Sequence, residues 1–264
     1  MHRHYPQRDL QSAAAEYSVG CYSRTIQLCQ YVLARDDESF EALVLLGLSL
    51  LAVNATEEGI SSLEEAALIR PLDTPTQIEL AIGYGANGRS ALSRDLLMGI
   101  ATGHAETSDQ MLRIAVGFEA LDQPRLAMEA CRNAGALNPE SAEVHFRMSY
   151  YARQCGHAAS TIEALLRRAI DLEPRNVHYR VGLASLLIRL DQPSSALTIL
   201  RSVVPAELDR VTCTSCLKRI ANLYFDFGEV AIAKRCAERL QALVSAANPS
   251  SQMSNEGHSV LFFN

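Results

Sequence analysis

The stretch SDQMLRIAVGFEALDQPRLAMEACRNAGALNPES, residues 108–141, decides the fold, because it has the pattern of two amphipathic helices joined by a short turn. In residues 109–121 apolar side chains recur at intervals of three and four, which predicts a helix with one buried face. Pro124 predicts the start of a second helix, since proline lacks an N–H and the first turn of a helix does not use one. That helix is expected to end near Ala136. One hairpin cannot bury both apolar stripes by itself, so the pattern predicts packing against further hairpins.

Copies of this hairpin are visible on both sides of it at a spacing of about 34 residues. The tetrapeptide Leu-Asp-Gln-Pro at residues 121–124 returns at residues 190–193. Stepping by this period, with a short insertion before the last copy, predicts seven units at residues 6–39, 40–73, 74–107, 108–141, 142–176, 177–210 and 214–247. Such self-similarity is the signature of a solenoid, in which each hairpin buries its apolar face against its neighbours.

Columns of equivalent residues indicate how the predicted helices pack. A column of small residues in the first helices marks a close approach between helices, and it reads Ala13, Gly47, Ala81, Ala115, Ser149, Ala184 and Ala221. Three residues further on, a bulkier column has a large apolar or aromatic residue in five of seven units, and it reads Glu16, Leu50, Tyr84, Phe118, Ala152, Leu187 and Tyr224. In the second helices alanine recurs in two further columns, Ala127, Ala196 and Ala233, and Ala66, Ala134 and Ala169.

By these columns the chain resembles the tetratricopeptide-repeat family over residues 6–247. The family pattern is a small residue and an aromatic residue on the first helix, two alanines on the second and a closing proline. The first unit departs from it with Glu16 and no closing proline, and the third with Ser93 and Ile100 in the alanine columns. The resemblance implies an all-α fold, a right-handed α-solenoid of about seven helix-turn-helix hairpins whose first helices line a concave groove.

The positions that the resemblance turns toward this groove are mostly apolar, which is typical of a surface that a partner covers. We predict a partner-binding groove formed by Val44, Leu48, Leu51, Ile78, Ile82, Leu112, Val116, Phe146, Tyr150, Arg113, Arg147 and Arg153. The arginines toward the later units suggest a segment with apolar anchors and an acidic end. The alternative is that tight packing of adjacent first helices buries the same apolar side chains as core.

Composition argues against several other kinds of partner. The formal net charge is −6, and 24 basic residues are interspersed with 30 acidic ones, so nucleic acid is not an expected partner. The longest apolar run, residues 42–53, is too short for a membrane span, which takes about 20 residues. Residues 1–10 lack the apolar segment of a secretory signal, and seven scattered cysteines suit a reducing compartment. These features predict a cytoplasmic protein.

Cys213 and Cys216 form a Cys-x-x-Cys, a spacing that both zinc sites and redox centres use. No second pair and no pair of histidines follows at a matching spacing, so the favoured interpretation is two small residues at a helix start. The histidines do not cluster, and neither a serine elbow nor a phosphate-binding loop is present. The sequence therefore predicts no enzymatic activity, no cofactor and no metal.

These observations predict a non-enzymatic scaffold or adaptor that binds a partner peptide or protein in the groove. The first alternative is a self-assembling structural module, in which apolar surface mediates homo-oligomers. The second is a metal or redox protein that uses the Cys-x-x-Cys. Residues 248–264 are expected to form a flexible tail, which carries an apolar run at residues 260–263.

Overall fold

Residues 5–103 and 105–247, which are the residues that this computed structural model describes, contain helices and turns and no strand. The α-helices are α1 (Tyr5–Ser18), α2 (Tyr22–Leu33), α3 (Phe40–Ala52), α4 (Thr56–Ile69), α5 (Thr74–Ala86), α6 (Ser90–Gly103), α7 (Ser108–Ala120), α8 (Pro124–Leu137), α9 (Ala142–Gln154), α10 (Ala159–Leu172), α11 (Val177–Arg189), α12 (Pro193–Leu200), α13 (Thr214–Asp226) and α14 (Val230–Ala247). They form seven consecutive hairpins, so the predicted all-α solenoid is confirmed. The tail predicted at residues 248–264 lies outside the described residues.

The hairpin of α7 and α8 follows the prediction to within about a residue at each end. Pro124 is the first residue of α8, where its missing N–H leaves no backbone partner unsatisfied. The apolar stripes are buried as expected, with Ile114, Phe118 and Cys131 each almost inaccessible to solvent.

The turn inside each hairpin contains one residue with a positive φ. These residues are Gly20, Asn54, Gly88, Asp122, Gly156, Asp191 and Gly228. Four are glycine, and the other three are Asn or Asp, whose short polar side chains tolerate the left-handed conformation better than other side chains do. The repeated Leu-Asp-Gln-Pro is therefore a turn signal, because its aspartate adopts a φ of 55° at Asp122 and 56° at Asp191.

A second recurring feature, which the sequence interpretation did not identify, is the residue before the first helix of five hairpins. Its side chain accepts a hydrogen bond from a backbone N–H in the first turn of that helix, a group that has no partner within the helix. We call these residues the cap column, and they are Asp73, Thr107, Ser141, Asn176 and Cys213. Asp73 illustrates the geometry, accepting from the N–H of Thr76 at 2.9 Å.

Contacts divide the chain into an N-terminal unit that ends at Pro139 and a C-terminal unit that begins at Glu140. The N-terminal unit contains α1 to α8, and one of its buried clusters joins α3, α4 and α5 through Leu43, Ile60, Leu63 and Tyr84. The C-terminal unit contains α9 to α14, and its α9, α10 and α11 pack together around Ala142, Ala169 and Tyr179.

The packing columns predicted from the sequence are confirmed at each of their small positions. All seven members of the small column in the first helices are buried, and so are the alanines of both columns in the second helices. In the third hairpin Ser93 and Ile100 replace the alanines and are buried as well. The third hairpin therefore has different side chains at these packing positions, but the positions themselves remain buried.

The sixth hairpin differs from the others in its second half. α12 has only eight residues, and a 3-10 helix at Pro205–Arg210 follows it, which accounts for the insertion seen in the sequence. Asp209 of the 3-10 helix forms an ion pair with Arg235 of α14, and Arg239 donates to the carbonyl oxygen of Val211 at 3.1 Å. These bonds fasten the insertion to the last helix of the C-terminal unit.

Ala115 tests the packing columns directly. Ala115→Leu is expected to destabilise the protein by about 1–3 kcal/mol, because the buried contact between helices has no room for three further carbons. Thermal unfolding followed by circular dichroism measures this change. Arg125→Ala, on the exposed side of α8, is the control and should change stability by less than about 0.5 kcal/mol. Equal stability of the two variants would contradict the assigned register.

Candidate protein-interaction groove

Five of the twelve predicted groove residues line one groove in the N-terminal unit. They are Leu48, Leu51, Ile78, Ile82 and Arg113, which come from α3, α5 and α7. The groove has a volume of about 720 Å³ and opens to solvent. First helices of successive hairpins therefore contribute to one concave surface within this unit, as the resemblance implied.

Leu51 of the groove lining lies against two glycines. A Cβ atom on Gly59 of α4 or on Gly83 of α5 would come within 3.0 Å of the Leu51 side chain. Contacts of this length are tighter than most that real Cβ atoms make, so the absence of a side chain at both positions lets α3, α4 and α5 approach one another around Leu51. The backbone of α5 thereby forms part of the groove surface beside Ile82.

Two tyrosines of the first hairpin, which the sequence prediction missed, form another part of the groove wall. Tyr17 of α1 and Tyr22 of α2 stack edge to face, with ring centroids 5.7 Å apart. Both side chains are half-buried and lie in the same groove lining as Leu48 and Ile82. Tyrosine suits binding surfaces because it combines a large apolar ring with a hydrogen-bonding group.

An ion pair crosses the groove between successive first helices. Arg113 of α7 donates from Nε and Nη2 to the two carboxylate oxygens of Glu79 of α5, at 2.5 and 2.7 Å. Such a two-pronged pair fixes both side chains in one plane. Burial raises the pKa of Tyr17, and the negative charge of Glu79 adds to this effect, whereas Arg113 opposes it.

The sequence contained a signal for Glu79. Glu79 and Arg113 are 34 residues apart, so they occupy equivalent positions in successive hairpins. Opposite charges at one repeat period indicate a contact between neighbouring first helices. The tyrosines had no comparable signal, because α1 and α7 belong to hairpins that are far apart in the sequence.

The other predicted groove residues of the N-terminal unit, Val44, Leu112 and Val116, are not part of this groove lining, and the predicted apolar residues differ in how far they are buried. Ile78, although it lines the groove, is only 1% exposed, and Leu112 is 9% exposed. Val44 packs against the buried cluster of α3, α4 and α5, and Val116 is half-buried. The partly exposed apolar lining of the groove is provided by Leu48, Leu51 and Ile82, although Leu48 and Leu51 also pack against the cluster of α3, α4 and α5.

The four remaining predicted residues lie on α9 in the C-terminal unit. Phe146 stacks on Tyr179 of α11 at a centroid distance of 4.9 Å, and Arg147 donates to Glu143 at 2.6 Å. Tyr150 is exposed, and the guanidinium group of Arg153 lies 5.4 Å from the centre of its ring. Phe146 and Arg147 are thus engaged inside the unit, whereas Tyr150 and Arg153 form an accessible pair.

The described residues contain no group of three or more His, Cys, Asp or Glu side chains that could hold a metal ion. Within the same part of the chain, no helix combines the length and the apolar character that crossing a bilayer requires. Cys213 and Cys216 lie at the start of α13 with their sulfur atoms 2.7 Å apart.

No protein-family model matches the sequence, and no curated protein matches it either. Solved structures do resemble the fold. A tetratricopeptide repeat protein from Parabacteroides merdae aligns with a TM-score of 0.66 and 11% identity over 90% of this chain and 93% of that chain. PilF from Pseudomonas aeruginosa aligns with a TM-score of 0.58 and 15% identity over 82% of this chain and 95% of that chain.

A larger assembly contains the same architecture. The structure of the Cut9–Hcn1 hetero-tetramer of the APC/C aligns with a TM-score of 0.62 and 16% identity, over 95% of this chain and 47% of that chain. Identities this low establish a shared fold and nothing finer. Together with the hairpins, the buried columns and the groove, they show that this chain has the fold of the tetratricopeptide-repeat proteins.

Proposed function

We propose that the protein is an interaction module that binds a peptide segment of a partner protein in the groove of its N-terminal unit. The observation that carries the proposal is the partly exposed apolar floor of Leu48, Leu51 and Ile82, which lines one groove together with the tyrosine pair. An apolar surface in a concave site gains free energy when an occupant removes it from water, at roughly 25 cal/mol per Å².

The groove volume fits a short segment with one or two apolar side chains. The floor accommodates those side chains, and the hydroxyl groups of Tyr17 and Tyr22 provide hydrogen bonds at the wall. Glu79, Asp109 and Arg113 are the charged residues of the lining, so acidic groups outnumber basic ones by two to one. Because Arg113 is paired with Glu79, this rim favours a segment whose flanks are neutral or basic rather than acidic.

Selection of random peptides on the immobilised protein tests the proposal, with affinities of the selected peptides measured by fluorescence anisotropy. Leu48→Glu and Ile82→Glu should each weaken binding by about 10- to 100-fold, since a buried leucine or isoleucine contributes roughly 1.5–3 kcal/mol. Tyr22→Ala, at the wall and outside the core of α3 and α4, should also weaken binding. Circular dichroism and thermal melting establish that each variant is folded.

Leu68→Glu is the matched control, because Leu68 is an apolar residue of the same unit that is 88% exposed on α4 and does not line the groove. This variant should bind the selected peptides as the wild type does. Equal binding by wild type, Ile82→Glu and Tyr22→Ala would place the peptide site outside the groove. Unfolding of Leu48→Glu alone would assign that residue to the core and leave the other two variants as the test.

A further inference from the structure

Cys213 and Cys216 have the geometry of a reactive dithiol. Cys213 is exposed and occupies the residue before α13, and Cys216 follows in the first turn and is half-buried. Their sulfur atoms are 2.7 Å apart, and the backbone N–H of Cys216 donates to the sulfur of Cys213 at 3.3 Å. The exposed sulfur of Cys213 can therefore react with a molecule in solution. The sulfur of Cys216 is less accessible but close enough to react with that of Cys213.

The cap column shows that Cys213 stands where this fold places an acceptor. The equivalent residues are Asp73, Thr107, Ser141 and Asn176, all of which accept hydrogen bonds with oxygen. Cysteine is a weak acceptor as a thiol and a good one as a thiolate, so a backbone site built for an acceptor favours the charged form. The N-terminus of α13 contributes partial positive charge to the same atom.

Neighbouring side chains add to this environment. The guanidinium group of Arg219, one turn further along α13, is held in place by donating to Oγ of Ser185 on α11 at 3.1 Å and to the carbonyl oxygen of Ser215 at 3.3 Å. The hydrogen bond with Cys216 is the main cause that lowers the pKa of Cys213, to about 5, and Ser215 and Arg219 contribute in the same direction. The same hydrogen bond, together with burial, raises the pKa of Cys216.

The opposite pKa shifts of Cys213 and Cys216 suit the two residues to different roles. A low pKa and exposure are the properties of an attacking cysteine, whereas a buried thiol with a raised pKa suits a resolving one. The other exposed thiol, Cys21, has neither a cysteine neighbour among the described residues nor a lowered pKa, since its hydrogen bond with Glu16 raises the value. An exposed position alone therefore does not account for the lowered pKa of Cys213 or for its cysteine neighbour.

We propose that Cys213 and Cys216 form a thiol–disulfide exchange site, with Cys213 as the attacking residue and Cys216 as the resolving residue. Its substrates are low-molecular-weight or protein disulfides. The Cys213 thiolate attacks one sulfur of the substrate disulfide, forms a mixed disulfide and releases the first substrate thiolate. Cys216 then loses its proton, and its sulfur attacks that of Cys213 and releases the second.

The exchange balances without a further reactant. Two protein thiols are oxidised to one disulfide, the substrate disulfide is reduced to two thiols, and two electrons pass between them. The proton that Cys216 gives up is taken by one departing thiolate, and the other departing thiolate takes from water the equivalent of the proton that Cys213 had already released. A zinc site, which shares this spacing, needs about four ligands, and no third His, Cys, Asp or Glu joins the pair within residues 5–103 and 105–247.

Oxidised glutathione is the probe that tests the site, with trapping by acid and mapping by peptide mass spectrometry. The wild type should form the Cys213–Cys216 disulfide with little mixed disulfide remaining. In Cys216→Ser the mixed disulfide with glutathione should accumulate on Cys213, because the resolving thiol is gone. In Cys213→Ser the remaining Cys216 should react at least about tenfold more slowly, because it is half-buried and burial still raises its pKa after the hydrogen bond with Cys213 is lost.

Cys21→Ser is the control and should leave formation of the Cys213–Cys216 disulfide unchanged. Equal reactivity of Cys213 and Cys216 in the two single variants, or preferential oxidation of Cys21 in the wild type, would overturn the proposal. So would one zinc ion per chain that is lost in the double serine variant, as measured by elemental analysis. Circular dichroism of the double variant should match the wild type, which separates loss of chemistry from loss of fold.

Discussion

Replacing Gly47 with alanine is expected to destabilise the protein by about 1–3 kcal/mol, even though alanine is the better helix former. A Cβ atom on Gly47 of α3 would stand 2.6 Å from Cγ of Leu63 and 2.9 Å from the carbonyl oxygen of Gly59, both on α4. The leucine side chain can adjust, but the carbonyl oxygen belongs to the helix backbone, so α3 and α4 must separate. Thermal and urea unfolding of the variant measure the loss.

Gly99→Ala is a control in which the same chemical change should have the opposite effect on stability. Gly99 lies within α6, and a Cβ atom there would meet nothing within 4 Å. Gly99→Ala should therefore stabilise the protein by about 0.5–1 kcal/mol, because alanine loses less backbone entropy on folding than glycine does. Shifts of the same sign and size in the two variants would show that Gly47 does not mark a close contact.

A double-mutant cycle identifies Leu63 as the side chain that Gly47 accommodates. Leu63 is fully buried, so Leu63→Ala should cost about 2–5 kcal/mol by itself. The double variant should cost less than the sum of the two single changes, by about 0.5–3 kcal/mol, because the new methyl group occupies part of the space that the leucine leaves. Strict additivity would contradict the contact.

The second large effect concerns alkylation by iodoacetamide. Lowering the pH from 8 to 6 should leave the rate at Cys213 almost unchanged, because a thiol with a pKa of about 5 stays mostly ionised over this range. The rate at Cys21 should fall about 100-fold over the same two pH units, because the hydrogen bond with Glu16 raises its pKa and the small thiolate fraction of such a thiol follows the pH. Mass spectrometry of the labelled peptides measures both sites in one sample.

Cys216→Ser supplies the matched comparison for this pH profile. The hydrogen bond with Cys216 is the largest cause of the lowered pKa, so its weakening should make the rate at Cys213 depend on pH between 6 and 8. A parallel decline at Cys213 and Cys21 in the wild type would mean that the start of α13 does not stabilise a thiolate.

The repeat architecture was predictable from the sequence because its packing is local. Helices of one hairpin and of its neighbour determine whether a position such as Ala115 is buried, and the period of 34 residues places equivalent positions in columns. The columns therefore predicted which residues form the core. The ends of α7 and α8 followed from the turn and proline signals, which also act over a few residues.

The groove was predictable only in part, because its residues are brought together by how strongly successive hairpins curve. Leu48 and Ile82, which the sequence placed on the concave side, line the groove, since they lie on first helices that are close in sequence. Tyr17 and Tyr22 line the same groove as Asp109 and Arg113 of α7, which are about 90 residues away in the sequence. No local sequence pattern predicts that such distant residues lie together. Whether a partner occupies the groove remains a prediction.

The cap column has a consequence for how such a chain can evolve. Five hairpins begin with a capping side chain at the same place, and serine, threonine, aspartate and asparagine all serve there. A serine codon becomes a cysteine codon by a single nucleotide change, so Cys213 could be gained or lost without altering the fold. In relatives where this position only caps the helix, any of these residues should be found there. Retention of both Cys213 and Cys216 among relatives would instead indicate selection for the chemistry of the pair.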